Sequence, residues 1–165
     1  MQNGGVISVL NCIYYEGARQ NDGQPIMEGY VTMRFANGNE YEGNIREGQA
    51  NGEGKMTYAN GNIYEGEWLN GRANGKGKMI YANGDKYEGE WLNGQANGIG
   101  EFTDASGNQI KGKFANGVIH DYACFMNQDG YSYRQYDDQG HLIDNNIPKE
   151  TIQDLKRYCI GYDYL

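Results

Sequence analysis

Cysteine is scarce in this 165-residue chain, and its three positions, Cys12, Cys124 and Cys159, are odd in number and far apart. They match neither a zinc-ligand spacing nor a disulfide framework. With only His120 and His141 beside them, no metal site and no cofactor are indicated. Thiols left free point to a reducing compartment. Long apolar runs are missing as well. Val6-Ile7 and Val9-Leu10, split by Ser8, are too short for a signal peptide or a membrane span. The chain starts Met-Gln, which lacks the N-myristoylation pattern. These features together read as cytoplasmic. Basic runs are also absent. The net charge is −8, divided as −2 over residues 1–40, −2 over 41–114 and −4 over 115–165. Nucleic acid and anionic lipid are therefore disfavoured as direct, charge-driven partners. Hydrophobic residues make up only 38%, too few for a globular core of Leu, Ile and Val.

What the chain does hold is 26 glycines, 15 tyrosines and a repeat. Tyr64 opens Y-E-G-E-W-L-N-G-R-A-N-G-K-G, Tyr87 opens Y-E-G-E-W-L-N-G-Q-A-N-G-I-G, and Tyr41 opens Y-E-G-N-I-R-E-G-Q-A-N-G-E-G, at steps of 23. A fixed period in this range marks a stacked repeat protein. Tyr64, Gly66 and Trp68 alternate with Glu65 and Glu67, which puts aromatics and glycine on one strand face and carboxylates on the other. Gly75, Gly77, Met79 and Tyr81 alternate in the same way with Lys76, Lys78 and Ile80. Ala82-Asn83-Gly84 gives a hairpin signal in which both Asn and Gly tolerate positive φ, and a second turn is expected within Leu69–Asn74. Each period thus supplies two short antiparallel strands. Helix is excluded by glycines that each cost about 1 kcal/mol in a helix interior. Glycines at a fixed offset from the aromatics are read as flat gaps over which Tyr and Trp rings lie, rather than as turn composition.

The pattern Y-E-G-E-W-x-x-G-x-x-x-G-x-G resembles the MORN repeat (membrane occupation and recognition nexus). The resemblance implies an all-β, single-layer antiparallel sheet of stacked hairpins, elongated and curved, with a groove lined by the repeat tyrosines and tryptophans. About five to six hairpins at roughly 9.5 Å each would give a stack of about 50–60 Å.

Glycine lattices at 48, 71, 94, 117, 140 and at 38, 61, 84, 107, 130 carry the repeat to about Gly140. Residues 1–140 are accordingly one repeat-sheet domain, with worn copies in 1–40, clear ones in 41–114 and a degenerate copy in 115–140. Residues 141–165 are a linker and tail. In the first part, Tyr15-Glu16-Gly17 is a displaced repeat start, and the apolar stretch Val6–Tyr14 reads as the first strands, with Val6–Leu10 as the sheet edge. In the tail, Ile152, Leu155 and Cys159 fall on one face of a short helix expected over 148–158. That helix is too short to stand alone and should dock on the aromatic face or edge of the last repeats.

Signs of chemistry are weak. Glu65 with Glu67, and Glu88 with Glu90, recur in every repeat and read as solvated or paired with lysines such as Lys76 and Lys78. Neither Cys124 nor Cys159 sits in a nucleophile motif with His120 or His141. Gly75-Lys76 and Gly77-Lys78 lie in strands, so they form no phosphate loop. No catalytic residue is assigned. The remaining candidate is the aromatic face, a partner-binding groove at Tyr41, Tyr64, Trp68, Tyr87 and Trp91, with Tyr58, Tyr81 and Met79 nearby. Alternatively the rings bury one another as core. The expected function is a non-enzymatic scaffold assembling with other proteins, and with itself through the N-terminal edge. The resemblance extends this to ciliary, axonemal or other cytoskeletal complexes. The alternative is a regulatory or membrane-targeting module binding phosphoinositides, which the acidic balance weakens.

Overall fold

The computed structural model describes residues 6–17, 23, 27–144 and 147. After one 3-10 turn at Val9–Asn11, the described strands are β1 Cys12–Glu16, β2 Gly29–Phe35, β3 Glu40–Arg46, β4 Gln49–Thr57, β5 Ile63–Leu69 and β6 Arg72–Ile80. They continue as β7 Lys86–Leu92, β8 Gln95–Thr103, β9 Gln109–Ala115, β10 Val118–Asn127, β11 Gly130–Tyr136 and β12 Leu142–Asp144. The protein is all-β: one open antiparallel sheet in which the strands pair in chain order. The expected helix over 148–158, with Ile152, Leu155 and Cys159, lies outside the described residues. By contacts the chain forms two compact units, Met1–Ala82 with Trp91–Gly94, and Asn83–Glu90 with Gln95–Leu165.

Two kinds of turn alternate, at the two places the sequence predicts. The tight two-residue turns are Glu47-Gly48, Asn70-Gly71, Asn93-Gly94 and Asn116-Gly117, each with both φ positive, from 49 to 85°. This is the I′ geometry that matches strand twist, and Asn with Gly tolerates it best. The expected Leu69–Asn74 turn is thus only Asn70-Gly71, because β6 begins at Arg72. The other loops are longer. Gly61 N–H donates to the Tyr58 carbonyl and Tyr58 N–H to that of Asn62, both at 2.9 Å, so only the glycine need be left-handed. Asn83-Gly84 belongs to this second kind, since Asn83 is not at positive φ. Side-chain amides lock successive loops together: Asn39 Oδ1 accepts from Ala59 N–H and Asn62 Oδ1 from Ala82 N–H, each at 3.0 Å.

In the first unit the register aligns residues of one type into rows across the strands. Tyr15, Met33, Tyr41, Met56, Tyr64 and Met79 are successive cross-strand partners. Beside that row runs another of Val31, Gly43, Gly54, Gly66 and Gly77. Register slips between Gly66 and Trp68 in the β5–β6 pairing. Three residues of β6, Asn74, Gly75 and Lys76, stand there against Glu67 alone, with Gly75 at φ 95°, so the strict alternation expected from Gly75 onward holds only from Gly77.

The N-terminal stretch departs most from expectation. Val6–Leu10 is not the edge strand. Ile7, Ser8 and Val9 lie across the tight turns of later hairpins instead, and the edge is β1. The cause is backbone satisfaction: the turn carbonyls of Gly48 and Gly71 take the N–H groups of Val9 and Ile7, at 2.8 and 2.9 Å.

In the second unit the glycine row runs from Gly100 to Gly112 and ends at Ala123. Asp121 keeps the left-handed bulge at φ 63° without a glycine, since Asp tolerates this region. Cys124, Tyr133 and Ile147 form a buried cluster with Tyr122 and Met126 against it. By strand alternation Cys124 faces away from Ala123 and the glycine row. Ile147 therefore packs on the face opposite the glycine row, while the docking expected of Ile152, Leu155 and Cys159 lies outside the described residues. The residues following Gly140, read as linker, include the short strand β12.

Candidate interaction surfaces

The aromatic rings lie flat on the glycine row. A methyl built on Gly77 would stand 2.6 Å from Tyr64 Cζ and 2.8 Å from Cε2, and one on Gly54 would stand 2.7 Å from the same atoms of Tyr41. Each hydroxyl reaches over its glycine to a backbone carbonyl three residues on. Tyr41 donates to Asn44 at 2.7 Å, Tyr64 to Glu67 at 3.0 Å and Tyr87 to Glu90 at 3.2 Å. The tryptophans stand on edge between tyrosines. Trp68 meets Tyr41 at 5.3 Å and Tyr64 at 5.1 Å, with planes at 84° and 87°. Trp91 meets Tyr64 at 5.0 Å, and in the second unit Phe114 meets Tyr87 at 4.9 Å. The indole N–H groups donate to glycine carbonyls, Trp68 to Gly54 at 3.0 Å and Trp91 to Gly77 at 2.9 Å. Such edge-to-face pairs add about 0.5–1.5 kcal/mol beyond area burial.

This geometry uses up the five residues offered as a groove. Tyr41 and Tyr64 have no exposed surface, Tyr87 has 2%, Trp68 has 4% and Trp91 has 7%. Burial pushes the Tyr41 and Tyr64 hydroxyls far above the usual tyrosine range. The rings are the core of the repeats, and a partner groove over them remains only a proposal. Of the neighbours expected nearby, Met79 faces Tyr64 directly, while Tyr58 and Tyr81 are half-buried.

On the other face, charges alternate across the strands as Glu42, Lys55, Glu65 and Lys78. Lys55 Nζ lies 2.9 Å from Glu65 Oε1, so Glu65 pairs with the preceding hairpin. Glu67 does something else. Its Oε1 accepts the Lys76 backbone N–H at 2.9 Å, beside the bulge at Gly75, and Glu90 takes Ile99 N–H at 3.3 Å. The two carboxylates of the repeat that starts at Tyr64 therefore have different tasks. Among the described residues, no group of three His, Cys, Asp or Glu is placed to hold a metal.

Apolar exposure is found towards both ends of the strand order, at Tyr131, Leu142 and Ile143 on β11 and β12 and, with the largest values, around β1. Leu10 is 82% exposed and Ile13 72%, with Tyr14 and Tyr30 also open. Arg34 caps Tyr14, its guanidinium 5.0 Å from the ring centre, whereas Ile13, at the bulge between Cys12 and Tyr14, stays exposed. The sequence reading missed Ile13 by taking the edge to be Val6–Leu10. The signal was present in Tyr15-Glu16-Gly17: Tyr15 is buried at 8%, and its ring occupies the space a methyl on Gly17 would need, as in the later repeats.

Comparison with known proteins supports the repeat assignment. The profile of the family described as MORN repeat matches residues 41–63, 64–86 and 87–109 in succession. No match was found among curated proteins. Among solved structures, the chain is similar to the SAS-4 (dCPAP) TCP domain of Drosophila melanogaster, solved in complex with a proline-rich motif of Ana2 (dSTIL). Identity is 14%, the TM-score is 0.40, and the match covers 73% of this chain and 72% of that one.

Proposed function

Taking residues 41–109 as three MORN repeats, we propose that the chain is a non-enzymatic interaction module that assembles with protein partners. The observation that carries this reading is the β1 edge. It ends the strand order, and Ile13, at the bulge where its register with β2 slips between Cys12 and Tyr14, stands 72% exposed. The last strand of a sheet carrying an exposed apolar residue invites association with another strand, from a partner or from a second copy. In this reading the aromatic rows stiffen the sheet, while the partner meets β1. Resemblance to repeats of ciliary and cytoskeletal proteins suggests such a complex as the setting.

The test is native purification of the tagged chain from its own cells, wild type beside Ile13→Lys, with circular dichroism confirming that both fold. Discrete partners held by the wild type and lost by the variant are expected. Identical partner sets would refute the edge, and no stoichiometric partner would refute the module. Flotation with phosphoinositide vesicles at physiological salt completes the test; clear binding would move the reading to a membrane-regulatory role.

A further inference from the structure

The segment Val6–Val9 amounts to a short peptide already bound by the repeats, and its seat recurs. Ile7 fits between two successive tight turns. Its N–H donates to the Gly71 carbonyl and its carbonyl accepts from Ala50 N–H, both at 2.9 Å. Gly71 N–H in turn donates to the Ala50 carbonyl at 2.9 Å, closing a small backbone circuit. The turn must carry glycine here. A methyl on Gly71 would stand 2.8 Å from Ile7 N and 2.9 Å from its carbonyl oxygen, and would also strike Val6 Cγ1. Ser8 bridges Gln49, and Val9 N–H reaches Gly48 at 2.8 Å.

One repeat further, within the same unit, the frame is reproduced. Asn93-Gly94 has φ 52° and 85°, against 49° and 77° at Asn70-Gly71. Gly94 N–H donates to the Ala73 carbonyl at 2.8 Å, as Gly71 does to Ala50. The difference is occupancy. Gly48 and Gly71 are buried, whereas Gly94 is exposed. Among the described residues, nothing lies within 4 Å of a methyl built on Gly94.

We propose that the Ala73–Gly94 turn pair is a docking seat for an extended peptide of a partner protein. The chemistry of the occupant follows from the adjoining seat. The peptide is extended and uncharged, gives a carbonyl to Ala73 N–H and an N–H to the Gly94 carbonyl, and rests a β-branched side chain on the turn glycine as Val6 does on Gly71. The seat is independent of the β1 edge, so either can fail without the other.

The probe is a synthetic peptide with blocked ends and the sequence of residues 6–10, titrated into the full chain and followed by amide NMR. Saturable shifts centred on Ala73, Gly94 and Gln95 are expected. Gly94→Ala should weaken the peptide about tenfold or more, because its methyl takes the space of the peptide backbone. Gly107→Ala is the control: its φ of 87° is equally strained and its surroundings equally open, and it should leave binding unchanged. Four outcomes overturn the proposal. They are no saturable shift at millimolar peptide; shifts centred on Ala50 and Gly71, meaning displacement of the chain's own segment; binding only after residues 1–5 are deleted, meaning that the chain fills the seat itself; and concentration-dependent shifts at the same amides without peptide, meaning a second copy.

Discussion

Gly77→Ala isolates the contact on which the repeat depends. Gly77 is not at positive φ, so alanine brings no backbone strain, and on strand propensity alone the change should stabilise slightly. The structure gives the opposite sign. The new methyl would stand 2.6–2.8 Å from Tyr64 Cζ and Cε2, so the ring must lift. Lifting the ring weakens its hydroxyl bond to Glu67 and its edge contacts with Trp68 and Trp91. Overpacking costs about 1–3 kcal/mol and a lost hydrogen bond about 1 kcal/mol, so we expect a loss of about 2–4 kcal/mol. For a chain of this length that is a fall in Tm of about 4–16 °C. A double-mutant cycle decides the mechanism. With Tyr64→Ala as background the ring is gone, and Gly77→Ala should become neutral or slightly stabilising. An equal loss in both backgrounds would refute the idea that glycine is there to seat the ring.

Two further predictions follow from the turns and the buried hydroxyls. Asn70→Val places a β-branched residue at φ 49° and should cost about 1–2 kcal/mol, while Asn70→Gly should be close to neutral; parallel thermal melts distinguish this from a side-chain role for Asn70. Burial holds the hydroxyl pKa values of Tyr41 and Tyr64 far above 10, the ordinary tyrosine value. Their contribution to stability is therefore full below pH 10 and falls by about 1.4 kcal/mol per pH unit for each ring above it. Tyrosinate absorbance from these two should appear only together with unfolding, and early ionisation with the fold intact would contradict their burial.

The rows of the sheet were legible because each depends on residue type at a fixed offset. Tyr64, Gly66 and Trp68 announce a ring, a gap and an edge contact, and register then aligns them across strands. Three features were not legible. The Val6–Val9 segment is held through turn carbonyls at Gly48 and Gly71, and backbone acceptors leave no mark in side-chain patterning. Gly75 looks like a member of the alternation, but its left-handed φ makes it a bulge that Glu67 then stabilises. Which of the two Asn-Gly turns is the tight one was not legible, because Asn-Gly pairs occur at both ends of the hairpin and only the number of residues between paired strands distinguishes them. That the repeat tyrosines and tryptophans share a face was legible from their alternation with the glutamates. The burial of that face was open, because composition does not reveal that each tryptophan edge fills the space between two tyrosines.

The proposal that this sheet is an interaction module rests most directly on β1. Hydrogen exchange of the β1 amides, Cys12–Glu16, measured on the isolated chain and on the complex purified from its own cells, tests it at the backbone itself. The account predicts fast exchange of the outward amides in the isolated chain and strong protection in the complex, with the β5 and β6 amides unchanged. Equal exchange at β1 in both states would contradict it.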